Sequence, residues 1–186
     1  MSTPLRTHNF TVDEYHRMAE AGVFHEDDRV ELIDGQIVEM TPIGVTHAGC
    51  VNRLTELFSP LAGTIATLSV QNPVILAEHE EPQPDFTVLR HRADGYGARH
   101  PRAADVLLVI EVADTSVESD RQVKIPLYAQ AGIPEAWLVN LPAGRIEVYR
   151  NPVRGKYAKV TSASRGETLT PLEVPSATLS VDRILG

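Results

Sequence analysis

The sequence predicts an α/β or α+β fold in which helices flank a mixed central β-sheet. The order of the patterns along the chain reads as a helix, many strands, a helix and further strands. The length of 186 residues suits one domain, residues 1–186, and no internal repeat or linker interrupts it. With 42% hydrophobic and 23% charged residues, the composition is that of an ordinary globular protein.

Three segments carry helical patterns. The first, residues 11–22, opens with the Thr-x-x-Glu pattern of a capping box. The second, residues 44–63, repeats apolar residues at the spacing of an amphipathic helix. The third, residues 116–132, contains Pro126, and this proline predicts a kink or an altered turn because it lacks a backbone N–H.

The other patterns are those of strands. Residues 30–40 read as a hairpin around an Asp-Gly pair, and a two-residue turn would place Glu31 opposite Val38. The tail, residues 172–186, is expected to pack as short irregular segments. The remaining strand patterns cover residues 64–70, 73–77, 85–89, 105–113, 135–140, 145–150 and 156–163.

Bulk properties narrow the class of protein. A net charge of −8 argues against coating nucleic acid with a uniformly basic surface, but it allows a local basic groove or a metal-neutralised site. A single cysteine, Cys50, rules out an intrachain disulfide and fits a reducing compartment. The sequence shows neither a signal-peptide pattern nor an apolar run near the roughly 20 residues that span a bilayer. We therefore expect a cytoplasmic protein with no membrane partner.

Two carboxylates stand at the ends of successive apolar strands. Asp85 directly precedes the apolar run 86–89, and Glu111 lies near the end of the strand at 105–112. If these strands are antiparallel neighbours, the start of one lies beside the end of the other, so the two acids meet. Their repulsion in apolar surroundings is relieved by a divalent cation, and oxygen ligands suit Mg²⁺ or Mn²⁺.

Lys124 is the candidate cation for this end of the sheet. It lies on the third helical segment and shares a face with Asp120 and Tyr128. Because this helix follows the Glu111 strand directly, that face can return over the end of the strand. An ammonium group there would orient a nucleophile or stabilise negative charge on a phosphate. The alternative is a surface ion pair with Asp120, worth about 0.3–0.5 kcal/mol.

Four stretches in a fixed order resemble the Uma-two family of restriction-endonuclease-like proteins, which belongs to the PD-(D/E)XK nuclease superfamily. They are VELIDGQIVEM at 30–40, QPD at 83–85, EVADTS at 111–116 and DRQVKIPLYAQAGIPEAWLVN at 120–140. The resemblance extends from Glu31 to the RIEVYR strand, nearly the whole chain. It implies a restriction-endonuclease-like core that uses Mg²⁺ or Mn²⁺ to hydrolyse phosphodiester bonds of nucleic acid, with DNA as the expected substrate.

The resemblance also implies the parts of the chain and the metal ligands. The N-terminal helix and hairpin would occupy residues 10–40, the catalytic core 41–150, and a C-terminal strand and tail 151–186. Matched by position, the metal ligands are the carboxylates of Asp85 and Glu111 and the backbone carbonyl of Val112, with Glu31 as an additional upstream carboxylate.

The lysine departs from the superfamily pattern. That pattern places a lysine two residues after the acid Glu111, where this chain has Ala113. The alternative within the family is a lysine on the following helix, and Lys124 matches it. Because of this departure, a non-catalytic nucleic-acid-binding or accessory protein on the same fold remains the alternative. Cleavage of both strands of a duplex would favour a homodimer with two sites.

Several of these residues also have plainer interpretations. Asp85 suits a turn cap held by backbone N–H groups, and Glu31 suits an exposed hairpin position. His47 is interpreted as a structural histidine at the start of the second helix, and Tyr128 as a core or rim residue. The segment 90–104 holds four arginines against one acid, so it is either a contact for a nucleic-acid backbone or a solvated loop.

Overall fold

The computed structural model describes residues 7–186, which form helices and strands in alternating groups. The strands are β1 (Val30–Ile33), β2 (Gln36–Glu39), β3 (Ala66–Val70), β4 (Phe86–Arg90), β5 (Val106–Ala113), β6 (Glu135–Asn140), β7 (Arg145–Val153), β8 (Lys156–Ser164), β9 (Thr168–Leu169) and β10 (Leu179–Ser180). The helices are α1 (Val12–Glu20), α2 (Val45–Phe58), α3 (Val117–Ser119), α4 (Ile125–Gln130) and α5 (Val181–Leu185), with a π-helical turn at Asp120–Lys124.

The centre of the protein is a six-stranded sheet with the strand order β3-β4-β5-β6-β7-β8. Neighbouring strands are antiparallel except β5 and β6, which are parallel, so the predicted mixed sheet is confirmed. All eight residues of β5 are buried. This explains its continuous apolar run, because helices cover both faces of the sheet at this strand.

An apolar layer lies on each face of the sheet. On one face, residues of α2 and α5 pack against side chains such as Phe86 and Trp137. On the other face, Ile125 and Tyr128 of α4 pack against side chains such as Leu138. Within residues 7–186, no helix combines the length and the apolar content needed to cross a bilayer. The two layers hold β5 in place from both sides, and this fixes the end of the strand that carries Glu111.

The N-terminal helix and hairpin form as predicted. The capping box closes the start of α1, since the Glu14 N–H donates to the Thr11 hydroxyl at 3.2 Å and the Glu14 carboxylate accepts from the Thr11 N–H at 2.9 Å. In the turn between β1 and β2 the Asp34-Gly35 pair has positive φ at both positions, 51° and 67°, which suits the hairpin twist. Glu31 lies opposite Val38, as the two-residue turn requires.

The hairpin is a separate two-stranded sheet, and a different segment fixes it to the core. Leu32 and Glu81 exchange backbone hydrogen bonds of 3.3 and 2.8 Å. Residue 81 lies on the segment that leads into β4. The hairpin is thereby held against the end of the central sheet where Asp85 stands.

The predicted strand at residues 73–77 is wrong. Gln71 adopts a positive φ of 52° directly after β3, and the chain leaves the sheet there. The segment then makes only isolated bridges, one of them between Ile75 and Arg102 and another between Ala77 and Glu80. Val74 is buried, and Ile75 and Leu76 are partly buried, without a strand ladder, so the apolar pattern resembled that of a strand.

The tail is more regular than predicted. Strands β9 and β10 pair with each other, and α5 follows directly. Arg53 of α2 donates to the carbonyls of Ile184 and Leu185 at 3.0 and 2.8 Å, which places a cation at the C-terminal end of α5. The Leu172 N–H donates to the buried Glu135 carboxylate at 2.7 Å. Contacts with distant residues therefore order the tail.

The helical segment after β5 contains the altered turn that Pro126 predicts. The Ile125 N–H bonds to the Asp120 carbonyl five residues earlier, which defines the π-helical turn, and Pro126 follows at the start of α4. Such turns occur often at functional sites. This one carries both Asp120 and Lys124.

Glu147 on β7 belongs to an ion-pair network with Arg121 of the π-helical turn. Its carboxylate accepts from the Arg121 guanidinium at 2.7 and 3.0 Å and from the Tyr149 hydroxyl at 2.7 Å. Burial raises the pKa of Glu147, but the hydrogen bonds from Arg121 and Tyr149 outweigh it and lower the pKa to about 2. The folded protein therefore holds this carboxylate ionised at a pH where the unfolded chain protonates it.

This difference predicts an acid dependence of stability. The stabilisation from Glu147 is complete above its ordinary pKa of 4.5 and is lost as the pH falls toward about 2. Glu147→Gln should therefore flatten the loss of stability between these pH values, as measured by urea unfolding at pH 2.5 to 7. The control is Glu26→Gln, because Glu26 is exposed. Glu167 is also exposed, but it accepts a backbone N–H and is therefore unsuitable. A wild-type slope that Glu147→Gln leaves unaltered would contradict the assignment.

Candidate active site

The start of β4 and the end of β5 meet at one end of the central sheet. The two strands are antiparallel, with Phe86 opposite Ile110, so the predicted neighbour relation is confirmed. Asp85 therefore stands beside Glu111, and its backbone N–H lies 3.4 Å from the Glu111 Oε2. The strand register brings together two carboxylates that are separated along the chain.

Asp85 has two strong partners. Its Oδ2 accepts the Val112 N–H at 2.9 Å, and its Oδ1 lies 2.9 Å from the His47 Nε2. Burial raises the pKa of Asp85, but the hydrogen bond and charge of His47 and the Val112 N–H lower it overall. In turn, the hydrogen bond to Asp85 raises the pKa of His47. Asp85 is thus held as a carboxylate that faces a histidine from α2.

Glu111 is the most deeply buried carboxylate of the group, with 2% of its side chain exposed. The Tyr128 hydroxyl donates to its Oε1, and the Lys124 ammonium lies 3.6 Å from the same oxygen. Burial raises the pKa of Glu111 well above its ordinary value, although the charge of Lys124 opposes the shift. A charged Glu111 therefore requires a nearby cation.

Lys124 is not on the surface, since only 13% of its side chain is exposed. Its Nζ lies 3.2 Å from the Glu31 Oε2 and 3.6 Å from the Glu111 Oε1. Burial lowers the pKa of Lys124, but the surrounding carboxylates, Glu111 first, raise it overall. The side chain is therefore an ammonium, and the interpretation as a surface ion pair with Asp120 is wrong.

Glu31 is buried, with 7% of its side chain exposed, so the exposed hairpin interpretation is also wrong. Its Oε2 accepts the Gln83 N–H at 3.0 Å in addition to the contact with Lys124. The Gln83 side chain donates back to the Val30 carbonyl at 3.0 Å. These bonds aim the Glu31 carboxylate toward the end of the central sheet.

These groups line one cleft of about 260 Å³. The structure brings to its wall every residue that the sequence singled out for the site: Glu31, Asp85, Glu111, Val112 and Lys124. It adds His47 and Asp120, which sequence reasoning did not place in the site. The signals were present in part, because His47 opens α2 and Asp120 stands four residues before Lys124. Neither signal revealed which carboxylate or cation each residue would meet.

The donor chemistry of the cleft fits a hard divalent cation. Six carboxylates line it beside one ammonium, one guanidinium and one histidine, and burial raises the pKa of both Glu111 and Asp120. The N–H and C=O of one strand residue project to the same edge, so the Val112 carbonyl points to the side where its N–H meets Asp85. Carboxylate and carbonyl oxygens are the ligands that Mg²⁺ and Mn²⁺ prefer.

Two of the four arginines in the segment 90–104, which joins β4 to β5, are paired with nearby acids. Arg92 pairs with Asp94 at 2.7 Å, and Arg99 pairs with Asp105 at 2.8 Å. Both guanidinium groups also lie over the Tyr96 ring, at 5.0 and 5.6 Å from its centroid. None of these arginines lines the cleft. Most of the segment is exposed, and two of its four arginines are paired with acids.

Comparison with known proteins identifies the family to which this fold belongs. The family model described as "Uma2: Putative restriction endonuclease" matches residues 12–182. The chain belongs to the Uma2 (Uma-two) family. This confirms the family resemblance and indicates a restriction-endonuclease-like nuclease, a class that generally uses divalent metals. No curated protein matches the chain.

A solved structure supports the Uma-two fold assignment. It is the crystal structure of a "putative nuclease belonging to DUF820" from Anabaena variabilis. The two structures align with a TM-score of 0.76 over 95% of this chain and 97% of that one, at 16% sequence identity. This likeness shows that the Uma-two chain and the Anabaena variabilis protein share their fold over nearly their full lengths.

Proposed function

We propose that this Uma-two protein is a metal-dependent endonuclease that hydrolyses phosphodiester bonds of DNA in the cleft at the end of the central sheet. The observation that carries the proposal is the buried Lys124 ammonium, which contacts Glu31 and Glu111 beside Asp85. A lysine among paired carboxylates is costly to bury and has few structural explanations. It suits a site that acts on a phosphate and a water molecule.

The metal ligands in this proposal are Asp85, Glu111 and the Val112 carbonyl, with Glu31 in support. A bound Mg²⁺ or Mn²⁺ would supply positive charge to the phosphate and acidify a water molecule. The partners of the ligands hold them in place: His47 and the Val112 N–H hold Asp85, and the Tyr128 hydroxyl holds Glu111.

Lys124 has a separate role in the proposed reaction. An ammonium has three N–H donors, and Glu31 lies at hydrogen-bond distance while Glu111 makes a longer ion pair. At least one donor is then available to an attacking water or to a phosphate oxygen. Because the surrounding carboxylates keep Lys124 protonated, it stabilises negative charge and orients water; it does not remove a proton.

The N-terminus of α2 suits a phosphate group at the same cleft. Gly44 is the N-cap of this helix of 14 residues, which has no acidic residue in its first turn and no capping side chain among the described residues. Ile43, Gly44 and His47 line the cleft. The free N–H groups and the positive end of the helix dipole favour an anion there.

Cleavage assays test the proposal. We expect the purified protein to cut circular duplex DNA internally with Mg²⁺ or Mn²⁺ and not with EDTA. Single-stranded DNA, duplex RNA and single-stranded RNA establish the substrate, and Asp85→Asn purified in parallel controls for contaminating nuclease. If no substrate is cut with either metal, the non-catalytic nucleic-acid-binding or accessory role replaces this proposal.

The oligomeric state and the compartment are further parts of the proposal. One cleft of this kind cuts one strand, so cleavage of both strands of a duplex implies a homodimer. We accordingly propose a homodimer that acts in the cytoplasm. Light scattering during gel filtration measures the mass, and a monomer that makes double-strand breaks in single encounters would contradict the dimer.

A further inference from the structure

A second group of metal-ligating side chains lies outside the cleft. In the chain from residue 7 onward, His16, Glu81 and His100 form the one group of three histidine, cysteine or acidic residues whose ligand atoms all lie within 4.8 Å of one another. No three such residues of the cleft meet this limit. None of the three residues of the second group lines the cleft.

The geometry of the group is partly built already. The His16 Nε2 lies 2.7 Å from the Glu81 Oε2, and the rings of His16 and His100 have centroids 5.6 Å apart. Glu81 is only 3% exposed, and a buried carboxylate is costly unless a cation or donor compensates it. His100 is exposed, so its ring can turn toward the other two ligands.

Backbone hydrogen bonds fix two of the three ligand positions, and the third ligand comes from α1. Glu81 is fixed by its backbone pairing with Leu32 of the hairpin. The residue after His100, Pro101, accepts the Ile75 N–H at 2.9 Å. His16 projects from α1 toward both. The ligands thus come from three segments that are distant in the sequence and meet at one point.

We propose that His16, Glu81 and His100 form a Zn²⁺ site that is distinct from the cleft. Two imidazoles and a carboxylate suit Zn²⁺, whereas the oxygen donors of the cleft suit Mg²⁺ or Mn²⁺. Metal–ligand distances of about 2.0–2.1 Å in a tetrahedral site separate the ligand atoms by about 3.3 Å. Small side-chain rotations reach this spacing from the present one, and the ion takes the place of the hydrogen bond between His16 and Glu81.

The site would join three parts of the chain: α1, the segment before β4 that pairs with the hairpin, and the segment between β4 and β5. A ligand that binds only the folded chain stabilises it by mass action. Zn²⁺ should therefore raise the melting temperature through these residues. The proposal concerns binding and is independent of whether the cleft cleaves DNA.

Calorimetric titration with Zn²⁺ alone tests the site, using the full chain. We expect one ion to bind the wild type, and His16→Ala and His100→Ala to weaken its binding by at least about 100-fold. Loss of a group that merely supports a ligand commonly costs 10- to 100-fold, so loss of a ligand should cost no less. His100→Ala keeps the test valid even if His16→Ala fails to fold, because His100 is exposed.

Two control variants separate this ion from others. His91→Ala removes an exposed histidine of the same segment that lies outside the group, and it should leave binding unchanged. Asp85→Asn should remove only an ion bound in the cleft. The proposal would be overturned if the wild type bound no Zn²⁺, or if His91→Ala and His100→Ala had equal effects. It would also be overturned if the protein bound a single ion that only Asp85→Asn removed.

Discussion

Replacing Lys124 with methionine should lower the rate of phosphodiester cleavage by about 10²- to 10³-fold, the usual contribution of one donor that stabilises negative charge in a transition state. Methionine keeps much of the length of the side chain but removes the ammonium that contacts Glu31 and Glu111. The two carboxylates then lose their common cation. Since burial already raises the pKa of Glu111, protonation can neutralise this site in the metal-free variant, and a bound Mg²⁺ would take the place of that proton.

Single-turnover cleavage in saturating Mg²⁺ measures this effect, with circular dichroism and thermal melting to verify the fold. Lys159→Met is the matched control, because Lys159 is exposed on β8 and should be replaceable without loss of rate. The stabilisation by Mg²⁺ should persist in Lys124→Met, since the lysine is not a ligand. Lys124→Arg should restore little activity, because the planar guanidinium is bulkier than an ammonium. An unchanged rate in Lys124→Met would remove the lysine from the mechanism.

Asp85→Asn should abolish both cleavage and the stabilisation by Mg²⁺ or Mn²⁺. The amide has nearly the same shape, and its oxygen can still accept the Val112 N–H, so we expect the fold to persist. The charge that favours the cation is lost, and the ion pair with His47 is lost with it. The fall in rate should be at least as large as that for Lys124, about 10²- to 10³-fold, because the chemistry of the ion is removed as well.

Thermal melting with and without each metal measures binding separately from cleavage. A ligand that binds the folded state raises the melting temperature, and the rise should vanish in Asp85→Asn. Asp27→Asn, an exposed position outside the cleft, is the matched control for the change of charge. An identical metal-dependent rise in Asp85→Asn would locate the ion elsewhere, even if cleavage were lost.

Local patterns predicted most of the secondary structure because their causes lie within a few residues. The capping box of Thr11 and Glu14 and the Asp-Gly turn act over two to four positions, and both formed as expected. The strand prediction for residues 73–77 was wrong because of contacts with residues far away in the sequence. The backbone of this segment pairs with distant residues such as Arg102 instead of joining the sheet, and this choice leaves no trace in the local pattern.

The partners of the site residues were harder to predict than the residues themselves. His47 meets Asp85 through the packing of α2 on the sheet, and Tyr128 reaches Glu111 from the core. Either residue suits a purely structural role by its sequence context. The direction of each side chain depends on how its helix is rotated against the sheet, and only the packed interface determines that rotation.

The sequence by itself determined that Asp85 stands at the start of one apolar strand and Glu111 near the end of another. The antiparallel pairing that brings these two ends together was a condition of the prediction, and the structure supplies it. Only the tertiary structure decided that Lys124 lies between Glu31 and Glu111. That arrangement needs the hairpin to dock through Leu32 and the π-helical turn to present the lysine. Both depend on contacts between residues far apart in the chain, which local propensity does not encode.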